Sequence, residues 1–82
     1  MAKKQSKLLL VEWQDTVTIG DWYGNLEEIK PSAVEVVGWL VRDTKDFIVL
    51  SSMRNLDGLH GSICCIPKGC IVTHKELKNE PV

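Results

Sequence analysis

Residues 33–50 read AVEVVGWLVRDTKDFIVL, and this stretch decides the fold. Ala33 to Val41 is almost wholly β-branched or apolar, interrupted only by Glu35 and Gly38. Asp43-Thr44-Lys45-Asp46 is short and polar, and Phe47-Ile48-Val49-Leu50 follows at once. Two apolar runs around a tight polar turn predict a β-hairpin. Both runs carry apolar residues on both faces, as strands covered on each side do; a free-standing meander alternates cleanly. Gly38 points the same way, because glycine inside a strand marks a sharp bend or a close backbone approach. Strongly bent strands are how small barrels close.

Working outward, Leu8-Leu9-Leu10-Val11-Glu12-Trp13 predicts a first strand, continued weakly through Thr16-Val17-Thr18-Ile19. Gly20-Asp21 breaks it. Asn25 is placed to cap one helical turn, Leu26 to Ile29, with acids in its first turn and Pro31 to end it. After the hairpin, Ser51 to Gly61 is polar and reads as a loop of about ten residues, into which the third strand can run. Ser62 to Ile66 predicts a fourth strand, Pro67-Lys68-Gly69-Cys70 a one-turn break, and Ile71 to His74 a short fifth strand. The expected fold is all-β: a small five-stranded SH3-like barrel with one short helical turn between strands 1 and 2. Residues 1–6 read as a flexible basic terminus, 7–77 as the barrel and 78–82 as a flexible tail.

Length and charge bound what such a domain does. The 82 residues leave room for one domain with a modest core. A chain of this size buries only about 60–65% of its unfolded surface, so contacts between subunits would add needed burial. The net charge of -1, from 10 basic and 11 acidic residues, is not that of a general duplex-binding protein. The basic residues are uneven, with Lys3, Lys4 and Lys7 ahead of the first apolar run. Leu8 to Val11 is too short for a signal peptide or a membrane span, so a cytoplasmic location and no membrane association are expected.

The residue types for catalysis are present without a pattern. Glu27 and Glu28 are adjacent, and side chains one apart on a helical turn do not face each other. Cys64, Cys65 and Cys70 lack C-x-x-C spacing or a fourth well-placed ligand, so no metal is expected. They are expected to be reduced thiols, at least two of them buried. His60 and His74 have no triad partner at a readable spacing, and no phosphate loop appears. No enzyme and no cofactor are expected. The aromatics are Trp13, Trp22, Tyr23, Trp39 and Phe47. Trp13 and Phe47 are expected to fill the barrel, and Trp39 to be either core or subunit interface. Trp22 and Tyr23 sit in a turn, where they either close one end of the barrel or stack on a ligand.

Two segments carry a resemblance. Gly38 to Leu50, with its glycine, apolar residue two on, acid near the turn and closing leucine, resembles the first Sm motif. Ile66-Pro67-Lys68-Gly69-Cys70-Ile71 resembles the second. The chain is also similar to small proteins of phages and prophages, which show an early tryptophan and acid (Trp13, Asp15), a Gly-Trp pair and an Ile-Pro-Lys turn. The resemblance implies a homo-oligomer, such as a ring, whose hairpin turn and Ile66–Gly69 turn converge at a central opening. It implies binding of RNA or single-stranded nucleic acid there: Lys68 supplies charge, Phe47 a stacking surface, and Asp46 repels phosphate and favours a base edge. Arg42 and Lys45 add attraction. At the positions of the family's base-binding aromatic-then-asparagine pair the chain has Asp46 and Phe47, so that pair is not reproduced. The alternative expectation is a phage inhibitor that sequesters a small nucleotide signal or a host protein in the bacterial cytoplasm, with the Trp22–Tyr23 loop as a second candidate site.

Overall fold

The computed structural model describes residues 7–78; the basic terminus 1–6, with Lys3 and Lys4, and tail residues 79–82 lie outside it. Five strands form one antiparallel sheet: β1 (Leu8–Asp15), β2 (Ser32–Asp43), β3 (Phe47–Arg54), β4 (His60–Pro67) and β5 (Ile71–Leu77). Short 3₁₀ turns occupy Leu26–Glu28 and Lys68–Cys70. The strand order is β4-β3-β2-β1-β5, so the two chain-consecutive strands β4 and β5 are the opposite edges. The sheet is open, because no ladder joins those two edges among the described residues.

The open sheet is nonetheless strongly coiled, and chain length shows why. Pro67 ends β4 opposite Phe47, while Ile71 begins β5 opposite Trp13, whose β2 partner is Val34. In a flat sheet those two positions would lie about 35–40 Å apart, from the strand spacing and the rise per residue. Four Cα steps span at most about 15 Å. The one-turn link therefore forces the sheet to wrap until its edges approach. The Lys68–Cys70 turn accordingly touches both β1 and β3.

Alternation decides which side chains line the concave face. Leu9 and Val11 of β1, Ile48 and Leu50 of β3 and Ile66 of β4 form the buried core, flanked by Trp13, Val36, Leu40, Cys64 and Ile71. Since Ile48 and Leu50 take the inward positions of β3, Phe47 and Val49 face outward. Phe47 is thus a convex-face residue, not barrel filling, while Trp13 does pack on the core. Trp39, next to inward Gly38 and Leu40, also lies on the convex face, with the Arg54 guanidinium 4.0 Å from its ring centroid. The Nε1 donors of Trp13 and Trp39 are buried with no acceptor among the described residues. Each such donor costs about 1–3 kcal/mol, a large cost beside so small a core.

Of the two readings of Gly38, a sharp bend or a close backbone approach, the structure shows the close approach. A Cβ there would meet the Ser51 carbonyl oxygen at 3.0 Å and the Leu50 Cβ at 3.2 Å. Beyond the Trp39–Ser51 pair the β2–β3 ladder stops, while β3 continues with β4 as far as Arg54 opposite His60. The two strands leave β2 as a twisted ribbon, tied back by the Ser52 hydroxyl donating to the Val37 carbonyl at 2.7 Å. The Ser51 side chain is fully buried. Its hydroxyl donates to the Met53 carbonyl at 2.7 Å and lies 3.1 Å from His60 Nδ1. With its proton held by a carbonyl and its oxygen closed off from solvent, Ser51 ties β3 to the start of β4.

Several boundaries differ from the sequence expectation. The loop expected from Ser51 to Gly61 shrinks to residues 55–59, because β3 and β4 run on as the ribbon. Asn55 organises that turn, its Oδ1 accepting from the Asp57 and Leu59 amides at 3.0 and 2.9 Å, with Gly58 at φ 86°. β1 ends at Asp15, and Thr16 to Ile19 form no strand since no neighbour pairs with them. Asn25 precedes the 3₁₀ turn without a side-chain cap; its carbonyl accepts from the Glu28 amide at 3.3 Å instead. The cysteines are free thiols, but Cys65 is exposed and Cys64 and Cys70 only half-buried, so the expected burial of two is not met.

Candidate ligand interface at the hairpin end of the sheet

The β2–β3 turn is built around Thr44. Its hydroxyl donates to the Phe47 carbonyl at 3.0 Å and accepts from the Phe47 amide at 3.0 Å, while its own amide bonds the same carbonyl at 2.9 Å. A short polar residue that can satisfy the backbone locally is what a tight turn needs. A register shift between Leu40 and Arg42 adds one residue to β2 just before the turn. Such a bulge strengthens twist and re-aims the side chains that follow it.

Two backbone segments then meet. The Lys68 amide donates to the Asp46 carbonyl at 2.8 Å, joining the hairpin turn to the turn between β4 and β5. Lys68 Nζ lies 2.8 Å from Asp43 Oδ1. Both side chains are about half exposed, so the pair contributes about 1 kcal/mol or less to stability. Its greater effect is to occupy the Lys68 charge. Arg42 lies over the Phe47 ring at 5.2 Å from the centroid, so one aromatic face already holds a cation. Lys45 is exposed at the turn tip without a partner among the described residues.

Five of the seven sequence-derived site residues thus come together: Arg42, Lys45, Asp46, Phe47 and Lys68. Trp22 and Tyr23 do not join them. They lie in the 16–31 segment, which leaves β1 at Asp15 and returns at Ser32, at the opposite end of β2 from the hairpin turn. Trp22 is fully exposed, and Tyr23 donates its hydroxyl to Glu28 Oε2 at 3.1 Å. Neither closes an end of the sheet. Asp43 was missed by sequence reasoning, since an ion pair across 25 positions leaves no local signal.

Beside this end lies an open cleft of about 610 Å³. Its floor is aliphatic, from Leu9, Leu40, Ile48 and Ile71, and its rim carries Lys7, Asp43, Lys68, His74 and Glu76. The rim follows from register: His74 pairs with Val11 and Glu76 with Leu9, so both polar side chains share the face of the core. Among the described residues no group of three or more His, Cys, Asp or Glu side chains could hold a metal ion. No described helix is long and apolar enough to cross a membrane. Compared with protein-family models, curated proteins and solved structures, the chain finds no match.

Proposed function

We propose that this chain is a non-catalytic, Sm-like protein of phage type that assembles head to tail and binds RNA or single-stranded nucleic acid at the hairpin end. The observation that carries this is the Lys68–Asp46 backbone bond, which places Arg42, Lys45, Phe47 and Lys68 on one rigid end. The coiled five-stranded sheet with a one-turn link before its last strand has the layout that the Sm/SH3-like resemblance implies. Its two open edges are complementary in kind: one protomer's β4 can continue the sheet beside its partner's β5. Such heterologous contacts make rings when the rotation closes.

Charge gives assembly a purpose. Arg42, Lys45 and Lys68 set against Asp43 and Asp46 leave one net positive charge per protomer. One charge binds a polyanion weakly, and affinity grows with the number of phosphates neutralised. Several protomers presenting this end together supply what one cannot. The planar Arg42 guanidinium over Phe47 offers a stacking plane to an unpaired base.

The test is binding of single-stranded ribo-oligonucleotides over a range of salt. Affinity is expected to fall steeply with salt, and Lys68→Ala to weaken it by about 1 kcal/mol or more, as loss of a charge-assisted contact does. Asp43→Asn releases Lys68 from its ion pair and is expected to strengthen binding. Parent, Lys68→Ala and Asp43→Asn proteins that all bind alike would remove this end as the site. A second reading is an inhibitor that sequesters a small nucleotide signal or a host protein. The cleft favours the nucleotide, since its volume is that of a small-ligand pocket.

A further inference from the structure

The 16–31 segment is unlike the rest of the surface. Every residue in it is exposed, although six of its residues are large hydrophobics. Trp22 stands at 103% relative exposure and Leu26 at 69%, with Tyr23, Val17, Ile19 and Ile29 between 41% and 46%. Its ends are pinned together, because Asp15 and Ser32 are partners in the β1–β2 ladder. Closed ends on a loop of this length describe an Ω-loop, a form of loop that frequently carries function. It has internal order too, from the Leu26–Glu28 turn and the Tyr23–Glu28 hydrogen bond. Six large apolar side chains held out to water on one loop with closed ends suit a docking surface.

Charge selects the occupant. Asp15, Asp21, Glu27 and Glu28 against Lys30 give the loop and its base a net charge of -3. A phosphate backbone or an anionic bilayer is repelled by it. A second copy meeting the loop through the same loop sets like charge against like. We propose that this loop docks on a basic protein, seating Trp22 in an apolar depression rimmed by lysine or arginine. It deepens the host-protein form of the second reading above, by naming the surface and the chemistry of its partner. Tryptophan suits the anchor role, since fully desolvated aromatics dominate interface energetics. The acids at the rim steer a basic partner and exclude acidic ones.

A short amphipathic peptide of leucine and lysine is the probe, followed by tryptophan emission and its quenching by acrylamide. The parent is expected to bind it with a blue shift and with protection of one tryptophan, and polylysine to give no such shift. Trp22→Ala is expected to weaken binding about tenfold or more, as loss of an anchor residue does. Asp21→Lys combined with Glu27→Lys is expected to weaken it as well, and to flatten its salt dependence. Lys68→Ala is expected to bind the peptide as the parent does, so failure of the hairpin-end site and failure of this loop are read separately. Trp22 makes no packing contact that its loss would break, and an unchanged melting temperature checks this. Equal binding by parent and Trp22→Ala, or no binding by either, would overturn the proposal. So would a Trp22 response to single-stranded oligonucleotide, to phosphatidylglycerol vesicles or to rising concentration of the protein alone.

Discussion

Cys64 and Cys65 are neighbours on β4, yet they face opposite sides of the sheet and differ in chemistry. Cys64 packs against the core, and burial, then Cys65 and Asp15, push its thiol above the ordinary range. Asp15 belongs to β1, three strands away in the flat order. A raised pKa holds the proton on in the native state. Its contribution to stability is therefore complete at neutral pH and is lost as pH rises through the native value. Thiol labelling is expected to modify exposed Cys65 first, with Cys64 lagging and accelerating only at more alkaline pH, because the thiolate is the reactive form. Equal rates for the two across pH would contradict this placement. At the same scale the site was only partly legible. Lys68 and Phe47 were singled out through a motif resemblance, but Asp43 and the Arg42–Phe47 contact depend on a bulge and on distant pairing. Neither leaves a periodic trace.

At the scale of elements, the close backbone approach at Gly38 is where the sequence spoke most clearly. An added methyl would press on the Ser51 carbonyl and on Leu50, so Gly38→Ala is expected to cost about 1–3 kcal/mol. A urea titration should show this as a lower midpoint with an unchanged slope, and a midpoint at the parental value would mean that the close approach relaxes freely. The hairpin was readable because turn chemistry and apolar runs agreed. The ribbon from Ser52 to Arg54 and from His60 to Ile63 was not, because it leaves β2 and both of its faces meet water. Without a buried face no two-residue alternation is imposed, and polar strand looks like loop. Thr16 to Ile19 erred the other way. Its β-branched alternation resembles a strand, but propensity without a neighbour to pair with makes none.

For the whole molecule, the open edges are what matters most. β4 carries no charged side chain from Gly61 to Ile66, so this part of the edge lacks the charge that commonly blocks pairing. Light scattering is expected to give a multiple of the 9.2 kDa protomer mass. Ile63→Lys sets a charge on that edge and is expected to return the 9.2 kDa monomer. A parent that is itself monomeric at micromolar concentration would end the head-to-tail scheme. The order of synthesis adds a consequence of the β1–β5 ladder. Leu8 pairs with Leu77, and Leu9 with Glu76, so the first strand made receives its second neighbour only when the far end of the sheet has been made. At about 5–20 residues per second, this is a wait of several seconds on the ribosome. During it β2, β3 and β4 can form from nearby pairings, while the outer edge of β1 stays open to any passing strand. A nascent chain of this kind gains from folding late and all at once, and its contacts of high sequence separation slow folding in that direction.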